Sequence, residues 1–126
     1  MQLTGTTQHE RYIEFRYAGD VDFASVIDAF AGVLKECRTA RIRGALLDFS
    51  GTTSTLTALE RMDIARMLPN DLAHGIVLAV VVHQAQHLDE RPGQLAAQNR
   101  GIRAREFTSI DAAVAWLGAV LRDVPA

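Results

Sequence analysis

Seven consecutive apolar residues, Ile76-Val-Leu-Ala-Val-Val-Val82, leave no position that could face water. A strand turns successive side chains to opposite faces, so a run that is apolar at both parities needs cover on both sides. The run is far shorter than the roughly 20 apolar residues of a membrane-spanning helix. It predicts an interior strand in a sheet flanked by helices.

The segments around it supply the cover. Tyr12-Ile-Glu-Phe-Arg-Tyr17 alternates, with Ile13, Phe15 and Tyr17 on one face and Tyr12, Glu14 and Arg16 on a wetter one. This strand is expected away from the sheet centre, with Met1 to Thr7 as an antiparallel neighbour. Gly19-Asp-Val-Asp22 breaks the strand and caps a helix whose apolar residues recur at Phe23, Val26, Ile27, Phe30, Val33 and Leu34, running to about Arg38. Arg43 to Phe49 reads as a short buried strand, followed by a hydroxyl-rich loop, Ser50-Gly-Thr-Thr-Ser-Thr55. Thr57-Ala-Leu-Glu60 has the pattern of a capping box. The helix it opens is expected to anchor through Leu59, Met62, Ala65 and Met67, and Pro69 stops it.

After the apolar run, Asp89 and Pro92 suit the first turn of a helix through Asn99, with Gly101 just beyond. Its apolar content is thin, so it is expected to be weakly held. Ile102 to Phe107 puts Arg103 and Arg105 on one face, as an edge strand protected by charge would. A final helix carries Ile110, Val114, Leu117 and Leu121 at helical spacing, with Trp116 on its flank. Strands alternating with helices over short connections give one α/β domain across residues 1–126, with a mixed, mostly parallel sheet of four to five strands and about four helices.

Charge and composition narrow the function classes. A net charge of −2 and a pI near 6.0 give no electrostatic reason to expect nucleic acid. The 126 residues carry one cysteine, Cys37, so no internal disulfide forms, and a reducing compartment such as the cytoplasm is expected. The N-terminus shows neither a secretory signal nor a membrane span. Phosphate-loop, dinucleotide and Gly-x-Ser-x-Gly motifs are all lacking.

The strand–helix order, the helix start at Gly19-Asp-Val-Asp22, the strand end Leu47-Asp-Phe-Ser50, the hydroxyl-rich segment and the closing Phe107…Ala113…Trp116-Leu117 together resemble SpoIIAA-like proteins. Those share the STAS (anti-sigma-factor antagonist) fold and look similar to lipid-exchange CRAL-TRIO domains. The resemblance implies a non-enzymatic module, without cofactor, that contacts a regulatory protein or holds a small apolar ligand. It also implies a phosphorylatable serine in an Asp-Ser-Ser-Gly-like motif where the helix after the second core strand begins. Here that motif is replaced by scattered hydroxyls, of which Ser50, Ser54 and Thr57 are the candidate acceptors. A phosphate beside a helix N-terminus is favoured by the dipole; the same residues also serve as ordinary caps and turn formers.

Two further sites are legible. If the 89–99 helix swings away from the sheet, an apolar cleft is expected from Val80, Val82, Leu88, Phe49, Met62 and Met67, with Asp48, His83 and His87 beside it. Asp48, His83 and His87 form the one candidate set for a metal-assisted enzyme, though no established metal-ligand spacing accompanies them and no metal is expected. An exposed edge strand or cleft would also invite a homodimer.

Overall fold

The computed structural model describes residues 1–70 and 75–122. In chain order these form β1 (Gln2–Gln8), β2 (Tyr12–Val21), α1 (Phe23–Ala40), β3 (Gly44–Ser54), α2 (Ala58–Met67), β4 (Val77–Val81), a single 3-10 turn (Gln84–Gln86), α3 (Pro92–Asn99), β5 (Arg103–Phe107) and α4 (Ile110–Arg122). The five strands make one sheet in the order β1-β2-β3-β4-β5. β1 runs antiparallel to β2, and every other pairing is parallel.

The apolar run behaves as its pattern requires. β4 is hydrogen-bonded on both edges, and its alternating side chains enter two separate cores. Leu78 joins Phe15, Leu47 and the residues of α1, α2 and α3. Val77, Ala79 and Val81 meet Ala113, Leu117 and Leu121 of α4 on the other side. Three crossovers that advance in one direction with one handedness must place their helices on one face, which leaves the opposite face, among the described residues, to α4 alone. Because α4 covers only the β3–β5 half, the Glu14 and Arg16 side of β2 stays partly open, which accounts for its polar residues.

Local chemistry sets the helix ends. Asp22 accepts the Ser25 N–H at 2.8 Å, and the Ser25 hydroxyl accepts the Asp22 N–H at 3.2 Å. The Ser25 backbone bond holds the Asp22 carboxyl below its ordinary value of 3.8, so this cap is complete above that pH and is lost as pH falls through the lower folded value. At α2 the Thr57 hydroxyl accepts the Glu60 N–H at 3.2 Å, and the Glu60 carboxylate accepts the Thr57 N–H at 3.0 Å. α1 ends on Arg41 in the left-handed region, with φ of 57°.

Gly44 is required by contact rather than by backbone conformation. A Cβ there would lie 2.7 Å from Leu121 of α4 and 2.9 Å from the Arg11 carbonyl. Its absence lets the C-terminal end of α4 sit directly on the sheet.

Four expectations are corrected. The hydroxyl-rich segment is not a loop: β3 continues to Ser54, because β2 also continues, past a bulge between Arg16 and Ala18, and pairs Ala18 to Val21 with Gly51 to Ser54. For the same reason Gly19 to Val21 do not break β2. On α2, Leu59 and Met67 point outward at 62% and 57% exposure, and the helix is held by Ile64 together with the expected Ala65 and Met62. On α4 the buried stripe is Ala113, Leu117 and Leu121, while Ile110 is exposed.

Leu117 is fully buried at the centre of the α4 contact. Leu117→Ala is expected to cost about 2–5 kcal/mol through lost burial and a residual void; urea unfolding monitored by circular dichroism measures it. A cost under about 1 kcal/mol would contradict the packing described.

Candidate functional site

Between the sheet and the three helices on its larger face lies a cavity of about 140 Å³. Phe49, Leu78, Val80 and Ala104 of the sheet form its floor, Val26 and Phe30 come from α1, and Ile64 and Ala97 from α2 and α3. Its position explains why Val80 is the one β4 residue not fully buried although β4 is interior. α3 brings only short side chains to this space, Ala96 and Ala97, and packs closely on α2, where a Cβ on Gly93 would lie 3.5 Å from the Arg61 carbonyl.

Polar residues occupy part of the wall, and each is tied to the protein. The Gln86 side-chain amide, 9% exposed, donates to the Thr52 carbonyl at 2.5 Å, and the Thr52 hydroxyl donates to the Phe49 carbonyl at 2.7 Å. Arg61 donates to the Gln86 carbonyl at 2.6 Å and to the Leu56 carbonyl at 3.3 Å. The Gln94 side-chain carbonyl accepts the Glu106 N–H at 2.9 Å. The Glu106 carboxylate lies 2.6 Å from His87 Nδ1, with both side chains mostly buried. Among the described residues no buried side-chain nitrogen or oxygen lacks a partner.

Of the cleft residues expected from sequence, Phe49, Val80 and Val82 line this cavity. Alternation along β3 turns Asp48 to the opposite face, the side of Leu46, where its carboxylate accepts the Ser50 hydroxyl at 2.6 Å and the Ser50 N–H at 2.9 Å. Met62 packs against the core without reaching the cavity lining. Met67, His83 and Leu88 are also outside the lining; His83 is exposed and caps the 3-10 turn by accepting the Ala85 N–H. His87 stands behind Glu106 rather than in the cavity.

Asp48, His83 and His87 are therefore not gathered into a metal-binding set, and no group of three or more His, Cys, Asp or Glu is suitably placed among the described residues. The helix expected to be weakly held is tied by side-chain bonds in addition to the buried Ala96 and Ala97. Gln98 of α3 donates to the Ala104 carbonyl at 3.1 Å, and Arg100, just past it, donates to the Ala65 carbonyl at 2.6 Å.

Sequence reasoning missed Arg61, Thr52, Gln86, Gln94 and Glu106. A polar side chain bonded to a distant backbone has no periodic signature. The available signal was the density of amides from Gln84 to Gln98 beside a strand end.

The phospho-acceptor candidates sit differently from one another. Ser50 is half-buried and bonded to Asp48; Ser54 is half-buried, its hydroxyl accepting the Leu56 N–H at 3.2 Å. Thr57 is exposed at the first turn of α2.

Cys37 is fully buried on α1, with its sulfur 3.9 Å from the Gly44 carbonyl. Burial, assisted by Glu36, pushes its thiol up to about 11. Native protein should leave Cys37 unreacted with a disulfide-exchange reagent at mildly alkaline pH, and guanidinium should release a full equivalent of thiol. Rapid native reaction would place the sulfur outside the core.

No helix among the described residues is long and apolar enough to cross a membrane. No protein-family model and no curated protein matches the chain. Solved structures do match. An anti-sigma factor antagonist from Mycobacterium paratuberculosis is 14% identical, with a TM-score of 0.56 over 90% of this chain and 91% of that one. An uncharacterised protein with a SpoIIAA-like fold from Shewanella loihica is also 14% identical, with a TM-score of 0.52 over 90% of each chain. The fold is accordingly SpoIIAA-like, as the sequence resemblance implied.

Proposed function

We propose that the chain is a non-enzymatic regulatory module that works by contacting another protein. The observation that carries this reading is the fold shared with an anti-sigma factor antagonist over 90% of the chain. The surface agrees with it. Leu59 and Met67 on α2 and Leu95 on the adjoining α3 stand 62%, 57% and 52% exposed, a cost in water that a partner's apolar face would relieve. Used as bait in its native host, the protein should retain one stoichiometric partner, and the Leu59→Asp/Met67→Asp variant should retain at least about tenfold less. Equal retention by a variant of unchanged stability would move the contact elsewhere; no retained partner at all would defeat the reading.

The finer form of this reading is a module switched by phosphate on Thr57. Among Ser50, Ser54 and Thr57, only Thr57 is both exposed and at a helix start, where the backbone N–H groups and dipole favour an anion. Glu60 opposes the added charge and would be displaced from its bond to the Thr57 N–H. Intact mass of protein from its native host should show one phosphate that Thr57→Val removes. Persistence of the phosphate in that variant would assign it to another hydroxyl.

A second reading, a carrier or sensor of a small apolar ligand, is favoured by the cavity itself. Its 140 Å³ are lined mainly by apolar side chains with a few placed polar groups, as small-molecule sites are.

A further inference from the structure

We infer that the cavity takes an uncharged, compact apolar molecule of roughly the size of one aromatic ring, and excludes fatty acids and other anions. This rests on the second reading above, that the cavity is a ligand site, and names the class of ligand.

Size is the first constraint. An apolar cavity of about 150 Å³ in another protein takes up benzene, and the volume here is about 140 Å³. The walls come from three helices and the sheet, so a compact molecule would touch all of them at once.

Polarity is the second. A buried water needs two to four polar partners to be held. The polar wall groups already spend their bonds on the protein: Gln86 on Thr52, Thr52 on Phe49, Arg61 on two backbone carbonyls, and Gln94 on Glu106. No buried side-chain polar atom among the described residues is left unpaired. The remaining wall is mostly aliphatic and aromatic, with the Ser54 hydroxyl accepting the Leu56 N–H and the Glu106 carboxylate against His87, so it offers few bonds to water or a polar ligand.

Charge is the third. A carboxylate head group would need a cation free to meet it. Arg61 and Arg105 are the cations in the wall: turning Arg61 inward would orphan the Leu56 and Gln86 carbonyls, and Arg105 lies over the Phe107 ring at 5.4 Å on the α4 side of β5. The Glu106 carboxylate on the same wall repels an anion. An uncharged hydrocarbon or aromatic compound incurs neither cost and gains dispersion contacts that a void forgoes.

Thermal unfolding with toluene and with decanoate as probes tests this, together with methyl spectra of Leu78 and Val80. Toluene should raise the Tm by about 3–5 °C at several-fold excess over its dissociation constant and shift both sets of methyl signals, while decanoate does neither. Ala104→Leu, which fills the floor, should abolish the toluene shift; Ala97→Val serves the same purpose if the first variant fails to fold. Decanoate matching toluene, with both effects lost in the filled variant, would overturn the ligand class and leave the cavity as a ligand site. Failure of both probes to shift either the Tm or the methyl signals would overturn the site itself.

Discussion

The other elements of this molecule are arranged so that β4, apart from Val80, is kept from water. Its five residues are apolar at both parities, and a single covering layer would leave one set exposed. Full burial of such side chains contributes about 1.5–3 kcal/mol each, enough to decide which arrangements of the other elements persist. The helices on one face and α4 on the other are the consequence. Gly44 belongs to the same solution, since any side chain there would hold the end of α4 away from the strands.

Covering β4 from the larger face also creates the cavity. α1 and α2 bring substantial apolar side chains to the sheet, whereas α3 brings Pro92, Ala96 and Ala97. A helix with such short inward residues cannot fill the space over Val80 and Ala104, and glutamine and arginine side chains fix it in place instead. The result is an ordered apolar gap framed by satisfied polar groups. Removing one of those frame residues would strand a buried carbonyl or amide, which costs more than the bond itself contributed.

How far the sequence could be read depended on whether a segment's role was local. β4, the cap at Asp22, the Thr57–Glu60 capping box and the charged edge strand β5 follow from patterns within a few residues, and each is found where expected. The extension of β3 through Ser54 did not show, because its hydroxyls look like a loop until β2 is known to run on beside them. α2 misled because Leu59 and Met67, its long apolar residues, face outward while the shorter stretch at Ile64 and Ala65 is buried. Ala113 is fully buried yet too small to mark a stripe. For the site, Phe49, Val80 and Val82 were legible from burial pattern alone. Asp48, one residue away, turns to the other face, and a void is not a property of any residue.

The order of the strands bears on how the chain assembles. Each strand hydrogen-bonds to the one immediately before it in the sequence, so the sheet can grow by addition at one edge without threading or long-range search. Contacts between sequence neighbours close small loops and favour rapid folding. α4 follows all five strands and, among the described residues, is alone on its side, so the growing sheet keeps Leu46, Val77, Ala79 and Val81 bare until this thirteen-residue helix arrives. That interval, rather than the finished protein, is when this sequence is most exposed to aggregation.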